Sequence, residues 1–286
     1  MEHEVRQLKR IEFPPLLSEI PDPPKRLFVR GVLPSPETKL LAVVGSRRHS
    51  PYGKDACETL IRGLFGHDIA IVSGLALGMD AIAHKAALSA GLKTIAVPGS
   101  GLNDNVLYPR TNHILAREIL KASGALLSEF EPTFHATPYS FPQRNRIMAG
   151  MSHATLVIEA GDRSGTLITA RLAMEYNRDV LTVPGSVFSK LSYGPHMLIR
   201  NGATPVTTSD DILEALGLET TSDKKKQHEN LSANEQKVLK LLEHPMPRDE
   251  LLEQLGLPIT EANVLLSSME LKGFIVERLG ELRHAE

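Results

Sequence analysis

Guanidiniums, small residues at strand-to-helix turns and a few hydroxyls are the groups in this chain best placed to do chemistry, and all of them suit an anion. The densest cluster runs from Phe141 to Ala170, FPQRNRIMAGMSHATLVIEAGDRSGTLITA. It joins a cationic turn (Gln143, Arg144, Asn145, Arg146) to a buried-strand pattern at 155–158, and a small-residue loop (Ser164, Gly165, Thr166) then opens onto a helix. A helix start leaves backbone N–H groups without intrahelical partners, and these can hold an anion. Two forked guanidiniums just upstream make phosphate, or a row of phosphates, the matching ligand. A second cluster, Gly45-Ser46-Arg47-Arg48, follows the aliphatic run at 40–44, and two adjacent cations at a strand's carboxyl end are hard to explain as packing. A third turn runs from Ser73-Gly74 to Gly78, where glycine permits close backbone approach. Asp80 is expected to cap the helix that follows, and His84 to be a surface or packing residue.

Most enzyme classes find no support. The first loop is not Gly-x-Gly-x-x-Gly and lacks the Walker lysine spacing. The eleven histidines and single cysteine form no metal-ligand pattern, and there is no Gly-x-Ser-x-Gly elbow. Glu159 at a strand end has no second carboxylate at a suitable spacing, so it is expected to orient Arg144 or Arg146 rather than transfer protons. No metal, cofactor or catalytic residue is expected.

The elements that must position these groups alternate. Strands are expected at 40–44, 69–72, 94–97, 155–158, 180–183 and near 205–206, with a further short one around Leu27 to Val29. Helices are expected at 52–66, up to Ala90, at 111–122, after Thr166, near 195–200 and at 209–216. Such alternation predicts an α/β fold, a parallel sheet covered by helices on both faces. Ligands of such sheets bind at the strands' carboxyl ends, which here carry Gly45, Gly74, Gly99, Ser164-Gly165 and Gly185, so these loops should converge on one rim.

Around that core, residues 1–38 are expected to form a proline-rich lead-in, 39–218 the α/β core, 219–230 a polar linker and 231–286 a small winged-helix-like domain with helices at 232–243, 247–255 and 260–272 and a terminal hairpin. Ser232 and Glu235 have capping-box spacing. The formal net charge of −2 hides an asymmetry: residues 229–286 hold 6 Lys/Arg against 11 Asp/Glu, whereas the first 228 hold 26 against 23. A polyanion therefore belongs with the core. The last helical pattern, ITEANVLLSSMELKG, offers Glu261, Asn263, Ser267, Ser268 and Glu270 to solvent and is unsuited to reading a major groove, so the module is expected to contact protein or do little on DNA. Cys57 is expected to pack in a helix, and its solitude suits a reducing compartment. MEHEVRQLKR lacks an apolar secretory region and no run of eighteen apolar residues occurs, so a cytoplasmic protein without membrane insertion is expected.

Taken together, the motifs VVGSRRHSPYG (43–53), IVSGLALGMDAIAHKAAL (71–88), TIAVPGSGLNDNVLYPRTN (94–112), FPQRNRIMAGMS (141–152) and VIEAGDRSGTLITARLAMEYNRDVLTVPG (157–185) resemble the DprA/Smf family of DNA-processing proteins over roughly residues 25–216. The acidic tail is similar to the winged-helix domain that many members carry. The resemblance implies an extended Rossmann-like core that binds single-stranded DNA without sequence preference, delivery of the RecA recombinase onto that strand during natural transformation, a homodimer, and no enzymatic activity. It carries the family's DNA-contacting arginine onto Arg47 and its basic-pocket segment onto 141–146. Gln143 stands where many members have a lysine or arginine, and His196 where the commoner residue is asparagine. The helical module that often precedes the core in this family has no counterpart in the sequence, so functions tied to it are not carried over.

The expected contact set is Gly45, Ser46, Arg47, Arg48, Ser73, Gly74, Gly78, Phe141, Gln143, Arg144, Asn145, Arg146, Ser164, Gly165 and Thr166. Tyr139, Tyr52 and Tyr108 lie on or near these loops, and Phe141 reads equally as a base-stacking surface or as packing. About four arginine contacts would give a log–log salt slope near −3 on a single strand. Two alternatives stand beside this reading: a nucleotide-binding sensor, and a nucleoside-monophosphate phosphoribohydrolase on a related fold, whose Pro-Gly-Gly-x-Gly-Thr turn is replaced here by Asp162-Arg163-Ser164-Gly165-Thr166. The dimer contact is expected near 190–216.

Overall fold

The structure is a computed structural model that describes residues 4–220, 232–242, 244–271, 274–278 and 280–284. It divides into two units, residues 1–218 and 219–286. The linker expected at 219–230 lies, from residue 221 onward, outside the described residues.

In the first unit the elements run β1 (Arg6–Gln7), β2 (Phe28–Gly31), β3 (Lys39–Val44), α1 (Pro51–Arg62), β4 (Ile69–Ser73), α2 (Met79–Ser89), β5 (Lys93–Ala96), α3 (His113–Lys121) and β6 (Ala125–Ser128). They continue as α4 (Ser140–Met151), β7 (Ala154–Val157), α5 (Gly165–Glu175), β8 (Asp179–Thr182), α6 (Tyr193–Arg200), β9 (Thr204–Pro205) and α7 (Ser209–Ala215). The sheet order is β1-β2-β6-β5-β4-β3-β7-β8-β9. From β6 to β9 every pairing is parallel, whereas β2 joins β6 and β1 joins β2 antiparallel.

Alternate residues of the central strands serve opposite cores, as a two-residue side-chain period requires. Ala42 and Val44 pack with Ile147, Met148 and Ala173 of α4 and α5, and Leu41 and Val43 pack with Cys57, Ile61 and Ala83 of α1 and α2. Both faces are thus buried, which is why the strands read as unbroken aliphatic runs. The strand order reverses at β3. From it the chain builds outward through β4, β5 and β6 on one side, then returns to β7 on the other. The carboxyl ends of β3 and β7 therefore diverge into helices on opposite faces and leave a crevice between them.

Two local results differ from expectation. The segment FPQRNR is not a turn but the first half of α4. Pro142 is tolerated there because N–H groups in a helix's first turn need no intrahelical acceptor. Ile147 through Met151 are all buried, so α4 lacks the one-sided apolar stripe that marks a surface helix. Nor is the proline-rich lead-in a loose preface. Leu8, Phe13, Leu17 and Ile20 join the core on the α4 side.

The second unit contains α8 (Ala233–Leu241), β10 (Met246–Pro247), α9 (Arg248–Leu255), α10 (Ile259–Leu271), β11 (Ile275–Arg278) and β12 (Glu281–His284). Its strands pair in the order β10-β12-β11, and Val238, Leu251, Leu266 and Leu282 form a core of its own. Ser232 and Glu235 make the reciprocal capping box at α8, with Ser232 N–H donating to Glu235 Oε2 at 2.8 Å. Three helices followed by a hairpin give a winged helix.

Candidate nucleic-acid interface

The crevice between β3 and β7 is a pocket of about 520 Å3. One wall is the loop Gly45–Arg48 after β3, and the other is Gly161–Thr166, which leads into α5. Asp80, Arg144 and Asn145 contribute buried groups, and Phe141 stands near the mouth.

Each wall has a local cause. In the β3 loop, Ser46 Oγ accepts from Arg48 N–H at 3.1 Å and donates to Arg48 O at 2.9 Å, which tightens the turn and leaves both arginines exposed. Gly78 makes this loop possible: its φ is +78°, and a Cβ there would lie 2.4 Å from Arg47 O. Only glycine meets both demands. In the opposite wall, Ser164 caps α5 by accepting from Thr166 N–H at 3.2 Å. Asn145 Nδ2 reaches across from α4 to donate to Gly165 O at 3.4 Å.

The mouth is aromatic and cationic. The Arg47 guanidinium lies 5.5 Å from the centroid of Phe141, and Phe141 is 5.7 Å from Tyr108 at an interplanar angle of 55°. Tyr108 is 47 % exposed and Arg47 is exposed, while Phe141 between them is half-buried against Gly99, so the outer part of this tier faces solvent.

Below the mouth, charge is held internally. Arg144 is buried; its Nη1 donates to Gly74 O at 2.5 Å and to Val97 O, and its Nε donates to Asn145 Oδ1 at 3.2 Å. Burial pulls this guanidinium down to about 10, against the opposing pull of Asp80. Asp80 is pushed up by its own burial, while Arg144 and the N–H groups of Ala76 and Gly74 act the other way. One carboxylate oxygen of Asp80 accepts from Gly74 N–H at 3.1 Å and from Ala76 N–H at 3.3 Å, and Asn112 Nδ2 donates to Leu75 O at 2.8 Å. The loop after β4 is thereby clamped from both sides, which holds Leu75 at φ +58°.

Of the residues expected at the site, Gly45, Ser46, Arg47, Arg48, Phe141, Arg144, Asn145, Ser164, Gly165 and Thr166 line this one pocket. Gly74 lines an adjoining recess with Arg47, Tyr108 and Phe141, and Gly78 supports the Arg47 backbone without lining the pocket. Three expectations need correction. Arg146 points elsewhere: it pairs with Glu129, donates to Asp22 O at 2.7 Å and is spent on binding the lead-in to the core. Helical geometry explains this, because Arg144 and Arg146 are two apart on α4 and cannot share a face. Ser73 is buried and donates its hydroxyl to Val43 O at 2.7 Å. Gln143 is exposed on α4, outside the pocket lining.

Glu159 is structural, but its partner is not an arginine. It accepts from Ser50 N–H at 2.9 Å and from Ser50 Oγ at 2.5 Å, fixing the start of α1. His84 is a buried core residue. Thr94 Oγ1 donates to Ile71 O at 2.9 Å, so it accepts from His84 Nδ1 at 2.7 Å, and burial pulls the imidazole down to about 3. Sequence reasoning missed Arg163 and Thr169 as lining residues and Asn112 as a clamp. For Arg163 a signal existed, a cation inside the same Gly/Ser loop as Ser164. For Asn112 there was none, since its partners are 37 and 36 residues away.

With this geometry in hand, comparison with known proteins decides the family. Residues 5–217 match the family profile described as DNA recombination-mediator protein A, and residues 222–281 match the DprA winged helix domain. The chain belongs to the DprA/Smf family. Protein Smf of Escherichia coli K12 is 41% identical over 273 residues, covering 92% of this chain and 72% of that protein. DNA processing protein DprA of Streptococcus pneumoniae R6 is 46% identical over 197 residues, 69% of this chain and 68% of its own length. Among solved structures, DprA of S. pneumoniae aligns with a TM-score of 0.68 at 41% identity, covering 76% of this chain and 75% of that one. DprA of Helicobacter pylori, described for its single-stranded DNA binding mode, aligns at 0.65 and 30% identity over 76% of this chain and 98% of its own. Among the described residues, no helix is long and apolar enough to cross a membrane.

Proposed function

We propose that this DprA/Smf member binds single-stranded DNA without sequence preference in the pocket between β3 and β7 and loads RecA onto that strand during natural transformation or recombination. The observation that carries the reading is the mouth of the pocket. Exposed Arg47 and Arg48 offer charge to phosphates, and Phe141 with Tyr108 offers ring faces to bases. Phosphate contacts and stacking are both indifferent to base identity, so no preference for sequence arises. The pocket wall formed by Gly161–Thr166 adds the amino end of α5 and the exposed cation Arg163. The H. pylori relative, described for its single-stranded DNA binding mode, supports the same ligand. The reading is of a binding and delivery protein without catalysis, acting in the cytoplasm as a homodimer, and the RecA step, compartment and dimer rest on family resemblance.

Titrating labelled oligo-dT with wild type and Arg47→Ala tests the DNA step: affinity should fall about ten- to a hundredfold, the range for losing a charge-assisted contact. Equal affinities would refute it. For delivery, the protein should shorten the lag of RecA ATP hydrolysis on strand already coated with single-strand binding protein, and an unchanged lag would refute that step.

A further inference from the structure

We propose that the loop between β8 and α6 carries a second base-stacking position, Phe188, so that a single strand crosses the pocket from one rim to the other. This deepens the single-strand reading above and rests on it. Phe188 is 95 % exposed and Val187 79 % exposed, on a loop that is otherwise fastened at short intervals. Ser186 Oγ accepts from Phe188 N–H and Ser189 Oγ from Leu191 N–H, each at 3.2 Å, and Ser189 N–H donates to Ser186 O at 3.0 Å. The loop's start is held by Tyr52, whose hydroxyl donates to Pro184 O at 2.5 Å, and by His196 Nε2, 3.0 Å from Gly185 O. Its end is held where Ala160 N–H donates to Leu191 O at 2.8 Å.

Those anchors place the loop beside the pocket. Ala160 immediately precedes the Gly161–Thr166 wall, and Leu191, three residues after Phe188, itself lines the pocket. A ring left in water on a turn whose backbone is already fixed loses little further freedom when a planar ligand lands on it. Arg163 on the adjoining wall and Lys190 on the same loop are exposed cations. This composition, an aromatic flanked by cations, repeats that of the opposite rim, where Arg47 and Arg48 accompany Phe141. A ligand running from this loop to the Gly161–Thr166 wall meets the cations Lys190 and Arg163, with one exposed carboxylate, Asp162, beside them. The alternating bases and phosphates of an unpaired strand suit both the ring and the cations, whereas a duplex keeps its base faces stacked inside.

The test is binding of labelled oligo-dT of about 4, 8 and 16 nucleotides to the full chain, a range spanning the site sizes of single-strand binders. Phe188→Ala should weaken the longest oligonucleotide about tenfold while the shortest, which fills only the pocket, binds within about twofold of wild type. Because the chain has no tryptophan, Phe188→Trp supplies a lone reporter that should keep wild-type affinity and lose fluorescence on adding the long oligonucleotide. The proposal is overturned if Phe188→Ala matches wild type at every length, or if it weakens all lengths equally. It is also overturned if the same variant shifts the protein to a smaller species in light scattering, which would make the loop a contact between copies. In the same series Arg47→Ala should weaken every length. No effect of Arg47→Ala at any length would overturn the pocket reading itself, and this proposal with it.

Discussion

Two places in this molecule occupy positions where their folds commonly meet nucleic acid, and they are built from opposite materials. At the carboxyl ends of β3 and β7, guanidiniums and aromatic rings face solvent around a pocket. On α10, the third helix of the winged-helix unit, the exposed face is Glu261, Val264, Ser267 and Leu271, and residues 259–271 contain no lysine or arginine. Arg248 of α9 is paired with Glu270 at 3.2 Å and Glu277 at 3.4 Å, and Lys237 of α8 donates to Leu255 O at 2.8 Å. A helix that reads the major groove needs cations for phosphates and donors for base edges, and α10 supplies neither cations nor a forked donor. The lesson is that the fold sets where a ligand could sit, while the side chains decide whether a polyanion is welcome there.

That contrast can be broken in several ways. The largest effect should come from Gly78→Ala. The added Cβ meets the Arg47 carbonyl in a backbone conformation that side chains disfavour, so the β3 loop must move. Single-strand affinity should fall about a hundredfold or more in a titration, beyond the loss from any one side-chain contact, and wild-type affinity would show that the loop crossing is not needed.

Arg146→Ala should act on stability instead. It leaves the largely buried Glu129 carboxylate, already pushed up by burial and relieved by Arg146, without its partner. The loss should be about 1–3 kcal/mol in denaturant unfolding, below the figure for a fully buried pair because Glu129 and Arg146 keep some solvent contact. Affinity for oligo-dT should stay within about threefold. A large affinity loss with unchanged stability would return Arg146 to the site.

The core should also weaken in acid. The imidazole of His84 lies near 3 in the folded core against an ordinary 6.5, so the unfolded chain takes up its proton first. Its contribution is complete above about pH 6.5 and is lost progressively as pH falls toward 3. Unfolding of wild type and His84→Asn across that range isolates the effect, because the other titrating groups cancel. Parallel profiles would contradict it. The smallest effect is reserved for the winged helix. Removing residues 219–286 should change single-strand affinity by less than about threefold, and a fall of more than about tenfold would make the acidic module a DNA reader after all.

How much of this was legible in the chain follows from how local each cause is. The strands and the order of helices were readable because burial on both faces writes continuous aliphatic runs. The convergence of the β3 and β7 loops followed from topology, and ten of the expected residues do line one pocket. Arg146 was misjudged because FPQRNR was read as a turn, in which neighbouring side chains can share a direction. In α4 they cannot. Ser73 was misjudged because it ends β4, whose residues are buried on both faces of the sheet, and its hydroxyl finds the Val43 carbonyl of the neighbouring strand. Asn112 joins segments 37 and 36 residues apart, which no local pattern records, whereas the Asp80 clamp spans only six and four residues.

The most direct measurement is the salt dependence of oligo-dT binding, compared between wild type, Arg47→Ala and Arg146→Ala. With Arg47, Arg48 and Arg163 exposed around the pocket and Arg144 below them, the log–log slope should lie between about −2 and −3. Arg47→Ala should make it shallower by about 0.7, and Arg146→Ala should leave it unchanged. A slope near zero, or one that flattens for Arg146→Ala and not for Arg47→Ala, would contradict the placement of the strand between β3 and β7.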